Sequence, residues 1–543
     1  MKVSDLIVKC LEKEGVRYVF GLPGEEIEDL LFSLEQSSIQ FIPTRHEQGA
    51  AFMADVWGRL TGKAGVCLST LGPGATNLVT GIADANLDKS PVVAITGQAG
   101  LDRIHKESHQ HLDIVNVFRP ITKWNTTITS PDVVSEVVRK AFKIAESEKP
   151  GATHFELPED VAKMESHRQP IVSHWVRRPD PDQSALQEAI SLLKESSKPL
   201  ILAGNGAIRK LAFGYLREFV SRWHIPIAHT FMGQGAVSDD SAESLHTIGM
   251  GFRDYVMDAV DQADVIITVG YDLAEYEPDA WNPKMDKTII HLDFAPAEVY
   301  THYQLAVEIV ADIGASLREL NQQLAQTPCC FDPSWYLPIQ DRIRKDIRSY
   351  DLKEGKGFHV PGVLNILRSL MGDENLLISD VGSHKIWIAR NFPARTPNGC
   401  LISNGLASMG FALPGAIAAA LQDPNRRIVA AMGDGGFLMN SQELETAKRL
   451  GVVFTVLIFN DNDYGLISWK QEMSRGRSTG TRLTNPDFKA YAESFGIKAY
   501  QPKTLADMKE ALKLALASPE LSVVEVPISP AINKELIRRL ERR

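Results

Sequence analysis

Two short stretches of this chain hold residues whose types and spacing suggest chemistry. In "AAMGDGGFLMNSQELETA", residues 430–447, Asp434 stands between glycines where an apolar run gives way to an amphipathic one. Glycines there let the backbone approach a ligand closely, and a following helix offers unpaired amide donors to a phosphate. A carboxylate beside a phosphate repels it unless a cation lies between them. Mg²⁺ suits that position, taking a few carboxylate or carbonyl oxygens at about 2.0 to 2.1 Å and filling its octahedron with phosphate oxygens and water. The second stretch, "VVFTVLIFNDNDYGLISW", runs an apolar segment into Asn460, Asp461, Asn462 and Asp463, a burst of oxygen ligands. If the two apolar runs are neighbouring parallel strands, Asp434 and Asp461 can share one ion. A strand-end aspartate alone is commonly a helix cap or turn former; two at adjacent strand ends point to a cation site.

The elements that must position these residues are short apolar runs alternating with amphipathic stretches, the pattern of parallel sheets covered by helices. In the first third, strands are expected at "YVFGL", "GVCLST", "VVAITG" and "THFELP". A Pro-rich polar stretch near residues 167–184 reads as a linker. A second unit has strands at "PLILAGNGAI", "IPIAHTF", "ADVIITVG" and "TIIHLDF". A third has them at "NLLISD", "RIVAAMGD", "VVFTVLIFND" and "SVVEVPI". The expected fold class is α/β, with three domains of mainly parallel sheet at residues 1–166, 184–330 and 356–530. Their similar size is compatible with old duplication, although no short repeat is visible.

Composition narrows the function. A chain of 543 residues, 44% hydrophobic and 23% charged, is globular and too long for one core. A net charge of −10 argues against a nucleic-acid partner, which would need a basic face. Cys10, Cys67, Cys329, Cys330 and Cys400 show neither metal-ligand spacing nor a framework of pairs, so a reduced, cytoplasmic protein is expected. The amino-terminal segment reads as an amphipathic helix without the features of a signal peptide, and no apolar run approaches the roughly 20 residues of a membrane span.

The "GDG" followed one βα unit later by an Asn/Asp ending resembles the thiamine-diphosphate signature. "TRHEQGAAFMADVWGRLTGKAGVCLSTLGPGATNL" and "SNGLASMGFALPGAIAA" are similar to segments of the acetolactate synthase group. The resemblance covers nearly the whole chain and implies a pyrimidine-binding domain, a central Rossmann-like domain and a diphosphate-binding domain. It implies thiamine diphosphate and Mg²⁺ as cofactors, with Asp434, Asp461 and the Asp463 carbonyl as metal ligands. Glu47 would hydrogen-bond the aminopyrimidine ring nitrogen, a task suited to a buried carboxyl. Ala407 and Met409 would hold the cofactor bent. Val381, Ser383, His384, Gly433, Gly435 and Gly436 would line the diphosphate, with Tyr464, Gly465 and Leu466 beside them. Gln110 and Lys123 fall where the group places residues that reach the substrate. The implied reaction is decarboxylation of pyruvate and ligation to a second pyruvate, giving 2-acetolactate. The implied assembly is a homodimer or homotetramer with active sites between subunits.

Within the group, "YDLAEYEPDAWNP" and "GSHKIWIAR" look like the catabolic, FAD-independent enzymes, so FAD is not expected. Glu25 in "GLPGEEIEDL" departs from the better-known members, which have glycine or alanine there. Its plain role is favourable charge at a helix start. Facing the substrate, it could instead deliver a proton that favours acetaldehyde release over ligation. "NDYGLISWKQEM" also departs, placing Leu466 and Trp469 near the acceptor. The alternatives are a non-ligating 2-oxo acid decarboxylase, a carboligase with another acceptor, or a Mg²⁺-nucleotide-binding regulator. The last has no use for Glu47, and the chain lacks a "GxxxxGK[ST]" loop.

Overall fold

The computed structural model describes residues 1–174, 176–209, 212–326, 331–353 and 357–541. Cys329, Cys330 and the expected domain limits at 330 and 356 lie outside the described residues.

Continuous apolar runs bury both faces of a strand, and such strands assemble as parallel sheets between helices. Three six-stranded sheets result, each with all its strand pairs parallel. The first contains β1 (Tyr18–Gly21), β2 (Gln40–Pro43), β3 (Gly65–Ser69), β4 (Val92–Gln98), β5 (Trp124–Thr127) and β6 (Ala152–Pro158), in the order β2-β1-β3-β4-β6-β5. The central sheet contains β7 (Pro199–Ala203), β8 (Ile227–His229), β9 (Ser244–Thr247), β10 (Val265–Val269), β11 (Thr288–Asp293) and β12 (Leu305–Val310), ordered β12-β11-β10-β7-β8-β9. The third contains β13 (Leu376–Ser379), β14 (Cys400–Ile402), β15 (Ile428–Gly433), β16 (Thr455–Asn460), β17 (Lys498–Tyr500) and β18 (Ser522–Pro527), ordered β14-β13-β15-β16-β18-β17. The first and third sheets therefore share one strand order. The central sheet has the doubly wound order of dinucleotide-binding folds.

The inner four strands of each sheet are the ones expected from the sequence, and β2, β5, β9, β12, β14 and β17 are additional. All six are edge strands, short or with polar positions, such as "WNTT" and "KAY".

The first and third domains share one hydrophobic core. Helix Glu47–Thr61 packs against helix Ala412–Gln422, with Phe52 edge-on to Phe411 at 5.6 Å. Gly415 admits Val56 so closely that a Cβ there would lie 2.8 Å from Val56 Cγ2. Cys10, Cys67 and Cys400 are buried free thiols. Among the described residues, no helix is long and apolar enough to cross a membrane.

A buried ion cluster locks the central domain to the third. Arg390, on helix Ser383–Asn391, donates from Nε to Asp254 at 2.6 Å and from Nη2 to Asp346 at 2.7 Å. Removing one member of such a cluster strands the buried charges that remain. Arg390→Leu should lower unfolding free energy by about 3 kcal/mol, read by denaturant titration; a change within error would show that the cluster does not hold the two domains together.

Candidate active site

The carboxyl edge of the third sheet gathers the predicted cation ligands. Strands β15 and β16 are parallel neighbours with Gly433 opposite Phe459, so the residues that follow them emerge side by side. Asp434 starts helix Asp434–Asn440 and is 2% exposed. Burial raises the pKa of its carboxyl. The Asp461 carboxyl is pushed up to about 7, first by burial and then by the charges of Asp434 and Asp463. Neither Asp434 nor Asp461 forms an ion pair among the described residues, and Asp463 Oδ1 is buried without a hydrogen-bond partner. No three His, Cys, Asp or Glu side chains gather as a metal group among those residues. The arrangement is instead a pair of carboxylates beside a polar turn. Like charges held this way call for a cation, which would lower the cost of ionising both.

Asn485, missed in the sequence, closes this turn. Its Nδ2 donates to Asp434 Oδ2 at 2.6 Å and also reaches Asn460 Oδ1 and Asn462 Oδ1 at 3.1 Å. Its segment is tied down by Tyr464 N donating to Thr481 O and Leu483 N donating to Asn462 O, each at 2.9 Å.

Glycines shape a shelf around the pair. A Cβ on Gly435 would strike the Tyr464 ring at 2.8 Å, and one on Gly465 would meet Asp461 Oδ2 at 2.6 Å and Ser383 Oγ at 3.0 Å. Helices Ser383–Asn391, Asp434–Asn440 and Gly465–Arg475 thus begin around one spot and direct backbone amides there, those of Asp434 and Gly435 serving the Asp434 carboxyl. Val381 is half-buried just before the first of them and Leu466 half-buried within the last. The His384 ring lies against Gly382 and Gly433 and near Phe459. Burial drives its pKa down to about 3, so the imidazole is neutral, and Nε2 has no partner among the described residues.

Asp380, also missed, organises the shelf from below. Its buried carboxyl accepts from Val381 N at 2.8 Å, Gly410 N at 2.9 Å and Phe411 N at 3.4 Å, and a Cβ on Gly436 would lie 2.5 Å from Oδ2. Burial pushes its pKa up to about 7. Its signal was available, since it ends the apolar run "NLLISD" as Asp434 ends its own. Asn485, in an irregular segment, gave no such signal. Gly410 closes the segment that holds Ala407 and Met409, in which Ala407 adopts φ +54°, a left-handed conformation unusual for alanine.

The other predicted residues lie at the carboxyl edge of the first sheet. Glu47 begins helix Glu47–Thr61 and is 5% exposed. Its Oε2 accepts from Asn77 Nδ2 at 2.9 Å, and Oε1 faces the Gly72–Gly74 turn, 3.3 Å from where a Cβ of Gly74 would stand. A Cβ on Gly72 would meet Gln110 O at 2.5 Å, so Gln110 belongs to the same cluster. Glu25 is exposed at the end of β1, beside Gly24, which packs on Thr70. Glu443 of the third domain accepts from Arg45 N at 3.0 Å and His46 N at 3.1 Å, fixing the turn that leads to Glu47.

Lys123 is corrected. Its Nζ donates to Ile144 O at 2.6 Å, Ser147 O at 2.8 Å and Lys149 O at 2.7 Å, satisfying carbonyls at the end of helix Val134–Glu146. A lysine that tethers three carbonyls is a helix-end anchor rather than a substrate ligand.

In the central domain, the turns after β7 and β10 meet. The backbones of Gly206 and Gly270 touch, and a Cβ on Gly270 would lie 2.4 Å from Gly206 Cα. The half-buried Glu275 carboxyl accepts from Asn205 N at 3.0 Å and from Thr230 Oγ1.

Comparison with known proteins agrees with this architecture. Three family models match in succession: the N-terminal TPP binding domain of thiamine pyrophosphate enzymes over residues 1–117, the central domain over 186–320 and the C-terminal TPP binding domain over 380–526. The chain is 36% identical to the catabolic acetolactate synthase of Raoultella terrigena, over 99% of this chain and 97% of that protein. It is 33% identical to the acetolactate synthase of Bacillus subtilis (strain 168), over 98% of this chain and 94% of the relative. It is 36% identical to a probable acetolactate synthase large subunit of Methanocaldococcus jannaschii, over 98% and 92%. With three sheets in the required order, paired carboxylates at the edge of the third and matches along nearly its whole length, this chain belongs to the thiamine pyrophosphate enzymes, in the acetolactate synthase family.

Proposed function

We propose that the protein decarboxylates pyruvate and joins the remaining two-carbon unit to a second pyruvate, releasing CO₂ and 2-acetolactate, with thiamine diphosphate and Mg²⁺ as cofactors. The observation that carries this reading is the pair of buried Asp434 and half-buried Asp461, which lacks a cation partner among the described residues, in a chain so similar to acetolactate synthases. When bound, thiamine diphosphate supplies an electron sink for the pair of electrons left by departing CO₂.

The chain's own residues hold and orient. Asp434, Asp461 and the Asp463 carbonyl would hold Mg²⁺. The amides at the three helix starts, with Ser383 and the neutral His384 Nε2, would take the diphosphate oxygens. The Ala407 carbonyl and Met409 would seat the pyrimidine. Asn77 fixes one oxygen of Glu47, leaving Oε1 to keep a proton on the ring nitrogen. Gln110 lies close enough to that cluster to meet the substrate. Leu466 and Trp469 would shape the acceptor side.

Within one chain the Glu47 carboxyl takes its hydrogen bond from Asn77 of the first domain and the Asp434 carboxyl from Asn485 of the third. Leu406, Leu438 and Met439, beside the segment that carries Ala407, are exposed apolar residues. Both facts support a homodimer, or a pair of dimers, in which one subunit's Glu47 serves the cofactor held by the other.

A second reading, decarboxylation without ligation, is favoured by one observation: Glu25 is an exposed carboxylate at the same sheet edge as Glu47 and Gln110. Product analysis separates the two. Purified protein with pyruvate, thiamine diphosphate and Mg²⁺, and without FAD, should yield 2-acetolactate, measured as acetoin after acid treatment, and Glu47→Gln should slow turnover by about 10²- to 10⁴-fold. Acetaldehyde as sole product would establish the second reading, and near wild-type turnover of Glu47→Gln would remove that residue's role.

The cation pair makes an opposite-sign prediction. Above pH 7, where the Asp461 carboxyl of the metal-free protein is ionised beside Asp434, Asp461→Asn should raise the melting temperature in EDTA by about 2 °C and abolish the rise that Mg²⁺ produces in the wild type. A lower midpoint with the Mg²⁺ effect intact would refute the assignment.

A further inference from the structure

We propose that the buried cluster of Arg59, Asp84 and Asp88 in the first domain positions residues 403–410 of the third domain in the same chain, presetting the segment that seats the pyrimidine. This rests on the thiamine diphosphate reading above and adds residues that touch neither cofactor nor substrate.

The segment is held at both ends. At its far end Gly410 N donates to Asp380, and Asn440 Nδ2 donates to Gly410 O at 2.8 Å. At its near end the contacts cross to the first domain. Ser403 Oγ donates to Asp84 Oδ1 at 2.6 Å and accepts from Ser408 N at 2.9 Å. Asp88 accepts from Asn404 N at 3.0 Å and Gly405 N at 2.5 Å. Gly405 packs so tightly on the end of helix Pro73–Leu87 that a Cβ would lie 2.8 Å from Leu87 Cβ. Between these ends, Ala407 is kept in a left-handed conformation that an L-residue adopts only when its surroundings impose it.

Arg59 ties the clamp together. It donates to Asp88 Oδ2 at 2.5 Å, to Asp55 Oδ1 at 2.9 Å and to Ile402 O at 2.9 Å, and lies 3.7 Å from Asp84 Oδ2. Three buried carboxylates around one guanidinium are a poor means of adhesion, because packed apolar side chains would hold two domains at lower desolvation cost. What the cluster provides is directed hydrogen bonds to backbone amides of one short segment. Arg59 and Glu47 are on the same helix of 15 residues, about 22 Å long. Each first domain would therefore serve two sites, clamping the pyrimidine segment of its own chain and offering Glu47 to its partner's cofactor.

The clamp bonds the pyrimidine segment directly and meets the diphosphate shelf only through Asp380 at the segment's far end and Lys385, which donates to Ser403 O at 3.0 Å, at its near end; it bonds neither Asp434 nor Asp461. Calorimetry on the full-length protein in saturating Mg²⁺ can separate segment from shelf by titrating thiamine diphosphate and inorganic diphosphate. Ser403→Ala, a small change, and Asp88→Asn, a stronger one, should each weaken thiamine diphosphate by about tenfold while leaving inorganic diphosphate within about twofold of wild type. Equal weakening of both probes, or no weakening of either, would overturn the clamp. A wild-type protein that binds inorganic diphosphate but not thiamine diphosphate would overturn the functional reading itself, and the clamp with it.

Discussion

The structure depends on a problem of like charge. Parallel pairing of β15 with β16 delivers Asp434 and Asp461 to the same place, both largely removed from water, and each makes the other harder to ionise. Folding alone does not resolve this, since no basic side chain among the described residues approaches either one. Hydrogen bonds do part of the work: Asn485 reaches Asp434, and backbone amides serve both carboxyls. In the function proposed above, a divalent cation would do the rest, turning a repulsive edge into an anchor for a diphosphate. The helix starts, the glycine shelf and Asp380 would then surround that anchor.

The shared strand order of the first and third sheets gives the anchor its counterpart. Each sheet ends in a glycine-lined edge with a buried carboxyl nearby, Glu47 in one and Asp434 in the other. Shared topology thus supplies two related surfaces, which in the proposed function would take metal and phosphate on one and a protonated ring on the other. In the central domain the corresponding turns meet at Gly206 and Gly270, and Glu275 accepts from Asn205 N.

Much of this was legible in the sequence, for physical reasons. Inner strands such as β4 and β16 are buried on both faces and so read as unbroken apolar runs. Edge strands are covered on fewer sides and tolerate polar residues, which is why "WNTT" and "KAY" were silent. Asp434 and Asp461 stood out because carboxylates at the ends of apolar runs need a reason to be there. Asp380 satisfied the same criterion and was passed over. Lys123 shows the opposite failure: its position suggested a substrate contact, but the carbonyls that hold it come from residues 21 to 26 positions later in the chain. Nor could local sequence show that Asp84 and Asp88 bond to residues more than 300 positions away.

The most direct test of the account is whether thiamine diphosphate binding requires the cation. Titrated by calorimetry into protein freed of divalent metal with EDTA, the cofactor should show no saturable binding, and added Mg²⁺ should restore one cofactor per chain. Equal binding with and without Mg²⁺ would contradict the claim that the paired carboxylates exist to hold a metal against the diphosphate.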